Sequence, residues 1–323
     1  MGVMSRSGCI FWVVLWTAFV ATNAAADHDR GRPMRPTADG SAEDSTAVLA
    51  ATKNNLAIML QKDAERGIDP VNNLQRAMTL FQEALVLLND RQDSAMYAGV
   101  LTNLGITYRM LSEWGVESRA NLEYSGSALQ EAAEIHQRQG NSAGLATAMN
   151  GLGLTYRMLA EDEPEPAEHL KKSEGALRIA AELWKRLENE GNHAGALNNL
   201  GITYQVMAQR GIEPEQNLAR SIAVIQDAIH LRRRQEAWLS YGRAQNNLGT
   251  AYRMLADRGV QRPSNLESAR GAFEAALRVF GDLGRRSYQA GVKAELIKVL
   301  QALVESGVNP EQHRARLKEL QGS

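Results

Sequence analysis

The chain of 323 residues carries 36 basic and 37 acidic side chains, for a net charge of −1, and a single cysteine. Near-neutrality removes the electrostatic footprint that nucleic acid or an anionic membrane surface would require. One thiol, Cys9, provides neither a disulfide nor a thiolate metal site.

In chain order, residues 1–26 read as an export signal. Arg6 supplies the positive start, and residues 9–21 form an apolar run. That run is shorter than the ~20 residues a membrane-spanning helix needs. Ala24-Ala25-Ala26 match the small-x-small cleavage rule, which makes Asp27 the expected first mature residue. A retained anchor is the alternative. Cleavage after Ala26 implies a periplasmic or secreted chain with no membrane span when mature, and the lack of any Asn-x-Ser/Thr sequon favours a bacterial periplasm. Residues 27–46 are polar with several Pro and Gly, and are expected to form a disordered leader.

From residue 47 a period of 48 residues governs the chain. Leu56, Leu104, Leu152, Leu200, Leu248 and Leu296 are each 48 apart. The next residue is Ala57, Gly105, Gly153, Gly201 or Gly249, and three further on stands Leu60, Tyr108, Tyr156, Tyr204 or Tyr252. A second group keeps the same step: small Ala77, Ser125, Ser173, Ser221 and Ala269; large Phe81, Leu129, Leu177, Ile225 and Phe273; then Ala84, Ala132, Ala180, Ala228 and Ala276. Period-matched repeats of this length imply stacked units that share a core with their neighbours only.

Each unit predicts two helices. Tyr97, Leu101, Leu104, Tyr108 and Leu111 fall on one helical face. Gly67, Gly115, Gly211, Gly259 and Gly307, each followed by Ile or Val, predict Schellman stops. The third unit has Glu163-Pro164-Glu165-Pro166 there, and proline ends that helix instead. Asp69-Pro70 and Asn309-Pro310 predict a capped second helix with Pro in its first turn.

These residues resemble the tetratricopeptide repeat family, in its long-period variety with an Asn-Asn-Leu-Gly-x-x-Tyr-Arg core. Leu104-Gly105-Ile106-Thr107-Tyr108 and Leu200-Gly201-Ile202-Thr203-Tyr204 match its first helix, and Ala77, Phe81, Ala84 and Ala269, Phe273, Ala276 its second. The period is longer than the family's usual one, and the family's proline after the second helix is missing. The resemblance implies an all-α, right-handed solenoid. Five helix-pair repeats would span residues 47–286, with a degenerate capping unit over residues 287–323. The resemblance also implies a scaffold that binds an extended segment of a protein or peptide partner in a concave groove.

That groove would be lined by a second stripe on the first helices. Asn54, Asn150, Asn198 and Asn246 are followed seven residues on by Gln61, Arg157, Gln205 and Arg253; Arg109 holds the same place after Thr102. Asn55, Asn103, Asn199 and Asn247 stand beside them, with Gly151 interrupting the row. In the family, Asn at such positions holds a peptide backbone, since its amide both donates and accepts. Arg109, Arg157 and Arg253 would add carboxylate recognition. Three readings of the Asn row stand side by side: peptide binding, hydrogen bonds that tie adjacent repeats, and a duplicated residue without a role.

No other chemistry assembles on the chain. His28, His136, His169, His193, His230 and His313 show no zinc-helix spacing, and most are expected at the surface. No phosphate loop or nucleophile elbow is present, so no enzyme, cofactor or metal site is expected. Arg232-Arg233-Arg234 reads as a solvated run at a helix C-terminus, where the dipole favours cations. The other functional reading is a structural or assembly subunit of a cell-envelope complex that self-associates.

Overall fold

The structure is a computed structural model and describes residues 40–161 and 163–322. The expected signal segment and most of the leader lie outside those residues. The described residues are all-α, with consecutive helices packed in tandem pairs. They divide into two compact units, residues 40–161 and residues 163–322. The division falls where Glu163-Pro164-Glu165-Pro166 replaces the glycine turn of the other repeats.

The first unit holds α1 (Gly40–Glu65), α2 (Pro70–Leu87), α3 (Ala95–Glu113), α4 (Ser118–Arg138) and α5 (Ser142–Leu159). Each helix packs on the next, and α3 also touches α1 and α5. The second unit holds α6 (Ala167–Arg186), α7 (Glu190–Gln209), α8 (Pro214–Arg234), α9 (Trp238–Asp257), α10 (Arg262–Asp282), α11 (Arg286–Glu305) and α12 (Pro310–Gly322). Here too each helix packs on its successor, and α7 also meets α9. Helix α1 starts at Gly40, so the last residues of the expected leader are helical. Extending a nucleated helix adds one hydrogen bond per residue fixed, which costs far less than starting one.

The turns at residues 66–69, 114–117, 210–213 and 258–261 share one geometry. Gly67, Gly115, Gly211 and Gly259 are left-handed, with φ of 81°, 76°, 78° and 82°. The following N–H closes the Schellman bond: Ile68 N donates to Asp63 O at 3.0 Å, and Val260 N to Leu255 O at 3.1 Å. The expected side-chain cap at Asp69 is absent. Asp69, Glu117, Glu213 and Gln261 are themselves left-handed and make no side-chain cap bond. An Asn four residues on takes over the stabilisation: Asn73, Asn121, Asn217 and Asn265 donate Nδ2 to the carbonyls of Ile68, Val116, Ile212 and Val260 at 2.7–2.8 Å. This satisfies an acceptor that the tight turn would otherwise strand.

The mid-helix glycines let the paired helices approach closely. A Cβ on Gly105 would stand 2.6 Å from Leu129 Cγ, and one on Gly249 would stand 2.8 Å from the Phe273 ring. Leu129, Ile225 and Phe273 are fully buried, as are Ala132, Ala228 and Ala276 one turn on. Burying a Leu, Ile or Phe side chain contributes about 1.5–3 kcal/mol. The repeated small-against-large pattern therefore contributes to the stability of each pair.

Candidate functional site

The candidate residues lie on the first helix of each pair. In the first unit, Asn55 is exposed, while Asn54, Asn103 and Asn150 are half-buried. Asn103 Nδ2 donates to Asn54 Oδ1 at 3.1 Å, joining α3 to α1. Asn54 Nδ2 in turn reaches Asn55 Oδ1 at 3.4 Å. Gln61 Nε2 donates to Asn103 O at 3.1 Å and to Thr107 Oγ1 at 2.6 Å.

The second unit repeats this brace. Asn247 Nδ2 donates to Asn198 Oδ1 at 3.0 Å, and Gln205 Nε2 donates to Asn247 O at 3.0 Å and to Ser221 Oγ at 3.1 Å. Asn199 is buried, and Asn198, Asn246 and Asn247 are half-buried. Where the sequence has Asn, Asn and Gln at these positions, the Asn–Asn bond and the Gln bond to the next repeat's backbone form in both units, while the second Gln bond goes to Thr107 in one and to Ser221 in the other. Each such bond contributes about 0.5–1.5 kcal/mol net.

The arginines of the stripe behave differently from one another. Arg109 is 2% exposed and pairs with Glu113 one turn on. Arg157 is also buried, and desolvation pulls its guanidinium down to about 10, opposed by the charge of Glu161. Arg253 is more open. It binds Asp257 at 2.7 Å and Glu295 at 3.2 Å. Glu295 occupies the place that Asn247 holds one period earlier. Arg253 therefore reaches the same place on the next repeat as Gln61 and Gln205 do, through an ion pair.

The tyrosine stripe packs as core with a polar tip. Tyr204 is buried, with its hydroxyl donating to Glu174 Oε1 at 3.0 Å. Burial, reinforced by the Glu174 charge, pushes that phenol up to about 12. Most of the histidines are expected at the surface, and two of the described ones are interior. His136 is 3% exposed and His313 is 1% exposed, bonded to Glu267 at 3.0 Å. His169 and His313 stand at the positions where other repeats place the turn-clamping Asn. That clamp was legible in the sequence as Asn-Leu recurring at 73, 121, 217 and 265. Its role was not, because the carbonyl it serves is defined only by the turn.

Among the described residues, no group of three or more His, Cys, Asp or Glu is placed to hold a metal ion, and no helix is long and apolar enough to cross a membrane. No protein-family model and no curated protein matches the sequence. Among solved structures, the chain is similar to one described as a circular tandem repeat protein with novel repeat topology and enhanced subunit contact surfaces. The identity is 18%, covering 87% of this chain and 71% of that one, with a TM-score of 0.35.

Proposed function

We propose that this chain is an exported scaffold of the tetratricopeptide type that holds an extended segment of a protein partner along the first-helix faces. Export rests on the three-part segment at residues 1–26, with release after Ala26. The observation that carries the binding reading is the Asn row itself. Asn54, Asn103, Asn198 and Asn247 spend one donor or acceptor on each other, yet each amide offers two donors and a carbonyl. Within each unit the pair is thus held in register while keeping polar capacity toward the half-open face, the pre-organisation that lowers the cost of binding. Asn55 and Asn150 in the first unit, and Asn246 in the second, are likewise not buried.

The test uses Asn55→Ala with Asn246→Ala, two positions outside the inter-repeat pairs. Partner capture from periplasmic extract should fall while the circular-dichroism melt is unchanged. Capture equal to wild type rejects the row as a binding surface.

A second reading, self-association, is favoured by one observation. Leu56 is 45% exposed, whereas its period mates Leu104, Leu152, Leu200, Leu248 and Leu296 are buried. Val48, Leu49 and Met59 of α1 are exposed with it. Light scattering across a concentration series, with Leu56→Glu as the control, decides this reading. A monomer at every concentration rejects it.

A further inference from the structure

Helix α1 exposes the face that every later first helix buries. In α3 the residues Val100, Leu104 and Thr107 are 1%, 5% and 0% exposed, and Val100 and Leu104 share a core with Phe81, Ala84 and Leu88. One period earlier, α1 has Thr52, Leu56 and Met59 at these places, all exposed. The residues one period before α2 carry Asp29, Pro33 and Pro36 in place of Ala77, Phe81 and Ala84. The sequence there lacks the pattern that covers the other first helices.

The residues on this face are not those of a cap. Leu49, Thr52, Leu56 and Met59 follow one another at steps of 3, 4 and 3, and with Val48 they form one apolar stripe. Met59 is 63% exposed, whereas its period mates Thr107, Thr155, Thr203, Ala251 and Val299 are smaller residues and buried. The Thr52 hydroxyl donates to Val48 O at 2.8 Å, so its polar group is satisfied within the helix. A unit that only closes a solenoid presents a polar outer face. The last helix, α12, does so, exposing Glu311, Gln312, Arg314, Lys318 and Glu319. Helix α1 instead places a large apolar residue where its mates are small, and contiguous apolar exposure marks a contact surface.

We propose that the occupant of this face is α1 of a second copy, packed antiparallel about a two-fold axis near Asn54. Leu49 of one copy then meets Met59 of the other, and Thr52 meets Leu56. The inference rests on the self-association reading and names its surface and geometry. Steps of 3 and 4 make the heptad seam through which two helices interlock. A patch that meets its own copy about a two-fold axis closes as a dimer. A head-to-tail contact would need an apolar outer face on α12, and the exposed residues there are charged or polar. A parallel pair would bring the two exposed Lys62 ends together and align the helix dipoles, whereas the antiparallel pair separates the like charges and opposes the dipoles.

The test is sedimentation equilibrium followed by disulfide mapping. The full chain and the chain beginning at Asp27 should show the same concentration-dependent dimer. Met59→Thr, the residue of three period mates, should weaken it about tenfold or more with the melting midpoint unchanged. For mapping, the full chain carries Cys9→Ala, which leaves no native thiol. Under mild diamide oxidation, chains with Leu49→Cys mixed with chains with Met59→Cys should give the mixed dimer in preference to either like pair, because a disulfide forms only between closely facing positions. A monomer at every concentration rejects the self-association reading and this inference with it. A dimer that joins like positions, that joins Met59→Cys to Lys318→Cys, or that Met59→Thr leaves intact overturns the α1 pairing alone. A dimer formed by the full chain but lost from the chain beginning at Asp27 assigns the face to residues 9–21 and overturns the pairing as well.

Discussion

Asn103 donates its amide to Asn54 at 3.1 Å across 49 residues of sequence, and Asn247 does the same to Asn198 at 3.0 Å. A side chain that disfavours helix interiors is thus offset by a bond to the next repeat. The pair should be coupled energetically. In a double-mutant cycle of Asn54→Ala and Asn103→Ala, measured by urea unfolding, the interaction term is expected at about 0.5–1.5 kcal/mol. Strict additivity would mean the bond contributes nothing.

The mid-helix glycines should separate by their surroundings. Gly105→Ala drives a methyl into Leu129 and is expected to destabilise by about 1–3 kcal/mol. Gly99→Ala lies in the same helix with nothing within 4 Å, and should stabilise by about 0.5–1 kcal/mol. Thermal melts that move in the same direction for both would contradict the close-approach account.

Removing a turn clamp should cost more than a surface change. Asn217 is fully buried and donates to Ile212 O at 2.8 Å. Asn217→Ala leaves that carbonyl without its partner, for an expected loss of about 1–3 kcal/mol. Hydrogen exchange should speed up locally at residues 210–217. Exchange unchanged there would show that the clamp is dispensable.

His136 should make the first unit acid-sensitive. Burial depresses its pKa below the ordinary 6.5, and Asn141 Nδ2 donates to Nδ1 at 3.2 Å, which suits a neutral ring. The unfolded chain therefore takes up the proton first. The contribution is complete above the unfolded value near 6.5 and is lost as pH falls through the lower folded value. His136→Leu, the residue found at Leu88, should flatten the melting temperature between pH 7.5 and 5.5. An equally steep decline in the variant would place the sensitivity elsewhere.

The legible part of this protein is what depends on neighbours in sequence. Helix faces, glycine stops and the small-against-large pairing of Ala84 and Phe81 repeat every 48 residues because each is a local steric or hydrogen-bonding solution. Asp69 shows where local reasoning ran out. Its type suits a cap, but the four-residue turn forces it left-handed and hands the task to Asn73.

By itself the sequence determined the tandem helix-pair repeat, its period, its stops and the residues able to bury. Only the tertiary structure decided which of those residues are buried. Leu56 and Leu104 are the same residue at the same place in the period, yet one is 45% exposed and the other 5%. Arg109 and Arg253 share another place, and one is interior while the other bridges to Glu295. The physical reason is that exposure and pairing belong to the neighbour that arrives in space, and a period records only what each unit brings.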